Sequence, residues 1–171
     1  MTADSFKAEV LPIKNKLYRF ALRMLDDHEE ARDTVQEVFL RLWTKREKLA
    51  EYRSVEAFAM IITKNLCLDK LKSSRSKNVE LKDQLEHSDS ITPYQHTETK
   101  DMKNKVIHII NSLPEQQKMA IQLRDIEGLG YDEIAEVMEM SLNNVRVNLS
   151  RARKKVRDIL IKAQNYEFSN N

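Results

Sequence analysis

The amino-acid sequence predicts an all-α protein of two small helical domains joined by a flexible linker. Glycine occurs only at 128 and 130 and proline only at 12, 93 and 114 among 171 residues, too few for turn-rich β architecture. Apolar residues recur at helical spacing in two blocks. Between the blocks, Ser73, Ser74, Ser76, Ser88, Ser90, Thr92, Thr97 and Thr99 alternate with charges and no period persists, the composition of a tether. The expected division is 1–72, a linker over 73–101, and 102–171, with a short helix around Val79–Leu85 allowed inside the linker.

In the first block, Val10, Ile13, Leu17, Phe20, Ala21 and Met24 form one stripe, with Pro12 obscuring where the helix starts. A second helix is expected from about His28 to Lys45. At 100° per residue it gathers Ala31, Val35, Val38, Phe39 and Leu42 on a core face. Its polar side carries Asp33, Gln36, Glu37 and Arg41 around Leu40, with Trp43 at the edge. A leucine centred on a polar stripe suits a partner surface, although single exposed apolar residues are common. Ser54 is placed to cap a third helix from about Val55 to Lys72. Asn65 and Asp69 fall on the same side as Phe58 and Ile62, where unpaired polar groups are costly, so bonds to each other or to backbone are expected.

The second block opens with Met102, Val106, Ile109, Ile110 and Leu113 at helical spacing. Pro114 suits the first position of the next helix, which ends near Gly128. Tyr131–Met138 and Leu142–Ala163 follow with Ser141 as N-cap, the layout of a helix-turn-helix. Ile134, Ala135 and Met138 are expected to pack inward, as are Val145, Leu149, Ala152 and Val156. The opposite face of the last helix carries Asn143, Val147, Ser150, Arg151 and Lys154, flanked by Asn144 and Arg146.

Net charge is only +2, but its distribution is polarised. Arg146 to Arg157 holds six basic residues and no acid, whereas Asp125 to Glu139 holds six acids and no base. The last helix can approach phosphates while the acidic side stays away. Asn and Arg can grip purine edges and Val147 a thymine methyl. A solvated basic helix end accounts for Lys154, Lys155 and Arg157, but poorly for the Asn143, Asn144, Arg146 and Val147 set.

The lone Cys67 sits in an apolar run and reads as a buried structural thiol in a reducing compartment. Met1–Val10 carries charges unlike a signal peptide, and the longest apolar run, Ala57–Ile62, is too short to cross a bilayer. A soluble cytoplasmic protein without membrane insertion is expected.

Several segments together resemble the extracytoplasmic-function group of RNA polymerase sigma factors. In the second block these are Ser112-Leu-Pro-Glu-Gln, Leu123-Arg-Asp-Ile-Glu-Gly-Leu, Tyr131-Asp-Glu-Ile-Ala-Glu and Val145-Arg-Val-Asn-Leu-Ser-Arg-Ala-Arg-Lys-Lys. In the first, Val35-Gln-Glu-Val-Phe-Leu-Arg-Leu-Trp43 resembles the polymerase-binding helix and Ile62-Thr-Lys-Asn-Leu-Cys-Leu-Asp-Lys-Leu71 the upstream-DNA-melting helix. The resemblance implies core RNA polymerase as partner, docked at Asp33, Gln36, Glu37 and Leu40. It implies promoter DNA as ligand, read as melted −10 strand through Tyr52, Arg53, Ser54, Lys64 and Asn65. Duplex −35 DNA would be read through Asn143, Asn144, Arg146, Val147, Ser150, Arg151 and Lys154. An anti-sigma factor is a further implied partner; no cofactor, metal or catalysis is. Phe58 stands where tryptophan is usual, Ile61 where arginine is common, Gly130 at the usual capping serine, and Glu139 at the usual turn glycine.

Two rivals remain open on the residues alone. An ordinary regulator would explain Gly130–Lys155 but not the Val35–Trp43 helix. An enzyme finds little support: Asp26-Asp-His-Glu-Glu30 reads better as acids at a helix start, and His28, His87, His96 and His108 are scattered.

Overall fold

The computed structural model describes residues 2–81 and 98–169, with side chains over 2–76 and 101–166. Among these residues there are eight α-helices and no strand. The chain divides into two compact units, one of residues 1–85 with 132–139, the other of 86–131 with 140–171.

In the first unit α1 (Ala3–Val10) is capped by Thr2, whose hydroxyl accepts from the Ser5 amide at 3.2 Å. A 3-10 turn, Leu11–Ile13, joins it to α2 (Lys14–Leu25). Proline at 12 has no amide hydrogen and its ring crowds the preceding turn, so the expected single stripe is split into two helices at that point. Asp26 closes α2 at φ 52°, and Asp27 caps α3 (His28–Thr44) by accepting from the Glu30 amide at 2.9 Å. The acids read from the sequence as a helix start therefore are one. Helix α4 (Val55–Leu81) begins behind Ser54, which accepts from the Ala57 amide at 3.1 Å.

Helices α2, α3 and α4 pack on one another, and α1 packs on α4. Their core holds Leu17, Phe20, Val38, Leu42 and Met60, all fully buried, each contributing roughly 1.5–3 kcal/mol by leaving water. Where the small residues Ala21, Ala31 and Cys67 meet, the three helices approach closely. Burial pushes the Cys67 thiol up to about 12. Phe39, expected in the core, is only half-buried, and Thr34 takes a buried place, its hydroxyl donating to the Glu30 carbonyl at 2.7 Å.

Helix α4 runs nine residues past its expected end at Lys72. Residues 72–76 are exposed on every side, so no apolar period marks them; backbone bonds added one per residue propagate the helix instead. Val79–Leu81 belongs to it, and the centre of the expected linker, 82–97, lies outside the described residues.

In the second unit α5 (Glu98–Asn111) also begins within the expected linker. Ile109, Ile110 and Leu113 are buried, but Met102 is exposed. Pro114 is the N-cap of α6 (Glu115–Ile121) rather than its first residue. A π-helical turn, Gln122–Ile126, prolongs α6, with the Glu127 amide donating to the Gln122 carbonyl at 3.0 Å. Gly128, at φ 79°, then reverses the chain. Helices α5 and α6 pack on α8 (Leu142–Ser169), around Ile121, Leu123, Val145, Leu149 and Ala152. Val156 is half-buried, and α8 extends past the expected Ala163. Helix α7 (Tyr131–Met138), which from Asp132 onward belongs to the first unit, matches its expected span. It buries Ile134 and Val137, with Ala135 and Met138 only half-buried.

Candidate nucleic-acid interface

The start of α8 is fixed by Ser141, whose hydroxyl accepts from the Asn144 amide at 3.1 Å. From there Asn143, Asn144, Arg146, Ser150, Arg151 and Lys154 are all exposed, while Val145, Leu149 and Ala152 are buried. The spacing 143, 147, 150, 151, 154 puts one stripe on the solvent side. Val147, expected to be exposed, is half-buried, because it borders the buried line. Arg146 lies over the Tyr131 ring, 5.8 Å from its centroid, and Arg124 lies over the same ring at 4.7 Å. The Arg124 guanidinium also donates to the Leu129 carbonyl at 2.8 Å. Tyr131 thus limits the directions open to Arg146. Arg153 is not part of the free basic face: it is bound to Asp125, and that hydrogen bond raises its pKa further.

In the first unit the loop before α4 carries Tyr52, Arg53 and Ser54. The Tyr52 ring stacks on Phe58 with centroids 3.9 Å apart and planes 18° from parallel. Lys45 Nζ lies 5.4 Å from the Phe58 centroid. Phe58, standing where the family has tryptophan, therefore supports the loop aromatic. Asn65 and Asp69 are exposed rather than set in an apolar face, so neither a bond between them nor one to backbone is required of them. Lys64 departs most from expectation. It is buried, and its ammonium lies 3.3 Å from a Glu139 carboxylate oxygen.

Helix α7, in the same unit, supplies two more acidic partners. Arg53 Nη2 is 3.2 Å from Asp132 Oδ2, and the Ser54 hydroxyl donates to Glu133 Oε1 at 2.6 Å. Glu139 itself sits at φ 53°, a conformation costing about 1 kcal/mol for a residue with a Cβ. These partners are 75 to 79 residues apart in sequence, and no local pattern announces them.

On α3, Leu40 is 62% exposed. Asp33 and Gln36 are exposed beside it, and half-buried Glu37 accepts from Arg41 Nε at 2.8 Å. Trp43 is held at the edge by an edge-to-face contact with Phe6, centroids 5.1 Å apart, and by Arg46 4.5 Å over its ring. Phe6 lies in α1, a helix the sequence reading did not place, because only Val10 of it joins the predicted stripe.

The capped start of α8 thus presents an exposed Asn/Arg stripe to solvent, and α3 an exposed leucine within a polar stripe. Comparison with known proteins supplies the class. Residues 11–77 match the sigma-70 region 2 family and residues 103–156 match sigma-70 region 4. The chain belongs to the sigma-70 family, in its extracytoplasmic-function group, and is a promoter-directing transcription initiation factor.

Among its relatives, the extracytoplasmic-function sigma factor SigE of Mycolicibacterium smegmatis is 29% identical over 86% of this chain, which spans 58% of that protein. SigW of Bacillus subtilis is 24% identical over 90% of this chain and 88% of its own length. Two solved structures share the fold. The sigma factor RpoE of Bartonella quintana, in complex with the anti-sigma factor NepR, has a TM-score of 0.75 at 22% identity, covering 92% of this chain and 98% of that one. CnrH, in complex with the cytosolic domain of CnrY, has a TM-score of 0.65 at 21% identity, covering 94% and 90%. No described helix is long and apolar enough to cross a membrane.

Proposed function

We propose that the chain works in the cytoplasm as a two-module initiation factor, with residues 1–72 and 102–171 as modules and 73–101 as tether. Helix α3 docks on core RNA polymerase through Asp33, Gln36, Glu37 and Leu40. The loop and α4 read the melted −10 strand through Tyr52, Arg53, Ser54, Lys64 and Asn65. The start of α8 reads the −35 duplex through Asn143, Asn144, Arg146, Val147, Ser150, Arg151 and Lys154. By analogy with the anti-sigma factor named as the partner of RpoE, an anti-sigma factor restrains it.

The observation that carries this reading over a plain regulator is Leu40, an exposed leucine ringed by Asp33, Gln36 and Glu37 on a helix whose other side is core. Burial of Leu40 against a partner gives affinity, and the acids give orientation against basic groups. Run-off transcription of fragmented genomic DNA by core polymerase tests it. Defined start sites that depend on the added protein are expected; none would defeat the reading.

A further inference from the structure

We propose that the acidic side of α7 is a built-in cover for the surface assigned above to the −10 strand, and that nucleic acid must displace it to bind. The inference rests on that −10 assignment. Three of its five residues, Arg53, Ser54 and Lys64, each have their donor turned to a carboxylate of one short segment: Asp132, Glu133 and Glu139. A guanidinium, a hydroxyl and an ammonium are the groups that would meet phosphate and base oxygens. The segment carries four acids, Asp132, Glu133, Glu136 and Glu139, and no base. Such a helix repels phosphate, and the partner it fits is a basic surface.

The contacts grade from weak to firm. Arg53 and Asp132 remain largely in water, 72% and 59% exposed at their side chains, so their attraction is small and screened. Lys64 is the opposite, with its side chain 5% exposed. A buried ammonium stripped of its anion is strongly disfavoured, so release of Glu139 requires water or another anion to replace it. A strand phosphate meets that requirement, which makes the cover one that DNA displaces. Glu139 is also the residue held at φ 53°. A glycine would fit that turn without strain but has no carboxylate to give Lys64; strain at such a position marks a place held by its surroundings.

The test uses the full chain, with the isosteric variant Asp132→Asn/Glu133→Gln/Glu139→Gln. A control, Asp4→Asn/Glu9→Gln/Asp158→Asn, makes the same charge change elsewhere. Two quantities are measured: amide hydrogen exchange over residues 52–65, and affinity for a dye-labelled single-stranded DNA pool of random sequence. With the cover as described, the variant exchanges faster over 52–65 and binds the pool about three- to thirtyfold tighter than the control. Glu139→Gly alone gives part of the gain while preserving the turn. Faster exchange with control-level DNA affinity would overturn the −10 assignment, and the competition with it, leaving only a structural contact. Unchanged exchange and affinity would overturn the cover. In that case Tyr52→Ala and Asn65→Ala in the wild-type background, by lowering or not lowering affinity for the pool, decide whether the −10 assignment survives separately.

Discussion

Arg153 meets Asp125 through two parallel hydrogen bonds, Nε to Oδ2 at 2.9 Å and Nη2 to Oδ1 at 2.5 Å. This pair ties α8 to the π-helical turn after α6 and takes one arginine out of the basic run between Arg146 and Arg157. Both side chains are partly exposed, so the bidentate pair is worth about 1 kcal/mol or less. Arg153→Ala is expected to lower the melting temperature slightly while leaving DNA affinity far less changed than Arg151→Ala does. A larger affinity loss for Arg153→Ala than for Arg151→Ala would return Arg153 to the DNA face.

Cys67 gives a pH dependence with a definite sign. Its thiol titrates near 9 when unfolded and is pushed up to about 12 by burial. The folded state therefore holds a proton that the unfolded chain releases. The resulting stability is fully present below pH 9 and is lost as pH rises toward 12. Native protein at pH 8 is expected to resist a thiol-reactive dye and to react at once in denaturant. Cys67→Ala, less stable at neutral pH by roughly 1 kcal/mol for the small void, should close that gap with wild type as pH climbs past 9. A gap constant across that range would show that the thiol is not desolvated.

The sequence-level reading succeeded where a signal is local. Ser54, Ser141 and the acids at the start of α3 announce helix starts, and α7 begins and ends where its period does. It failed where structure has no period or no proximity. Residues 72–76 are helical but exposed all round, so they read as tether. Pro12 split one stripe into two helices. The Lys64–Glu139 pair joins residues 75 apart in sequence, so no local pattern announces it. Leu40, by contrast, was legible because a polar stripe with an apolar centre is visible on a helical wheel.

The −35 assignment separates base readers from phosphate contacts. Arg146→Ala and Asn143→Ala, each removing a group able to grip a base edge, should cost roughly 1–3 kcal/mol on the preferred duplex and relax preference at one position. Lys154→Ala should weaken binding to all duplexes alike and lower the salt slope by about one. Competition binding against a scrambled duplex over a salt series measures both. Because Arg146 already rests near Tyr131, Tyr131→Ala should reproduce part of the Arg146→Ala loss through freer motion of the guanidinium. Equal losses on preferred and scrambled DNA for Arg146 and Asn143 would remove them from the readers.

The two jobs should come apart by mutation. Leu40 points away from the buried line of Val35, Val38 and Leu42 and is 62% exposed, so a charge there disturbs no core. Leu40→Glu is expected to keep helicity and melting temperature within the usual range for surface changes, about ±0.5 kcal/mol, yet to abolish co-elution with core RNA polymerase. A carboxylate buried at the centre of a docking face is strongly unfavourable without a partner. Asp33→Lys with Glu37→Lys should do the same by reversing the orienting charges, with a small stability loss from the broken Glu37–Arg41 pair. Arg146→Ala with Arg151→Ala should give the reverse pattern: normal co-elution with polymerase and loss of −35-dependent transcription. The decisive measurement is co-elution of wild type and both variant classes, beside circular dichroism of each. Equal co-elution of wild type and Leu40→Glu would show that the polymerase meets another face, and α3 would then need a different partner for its exposed leucine.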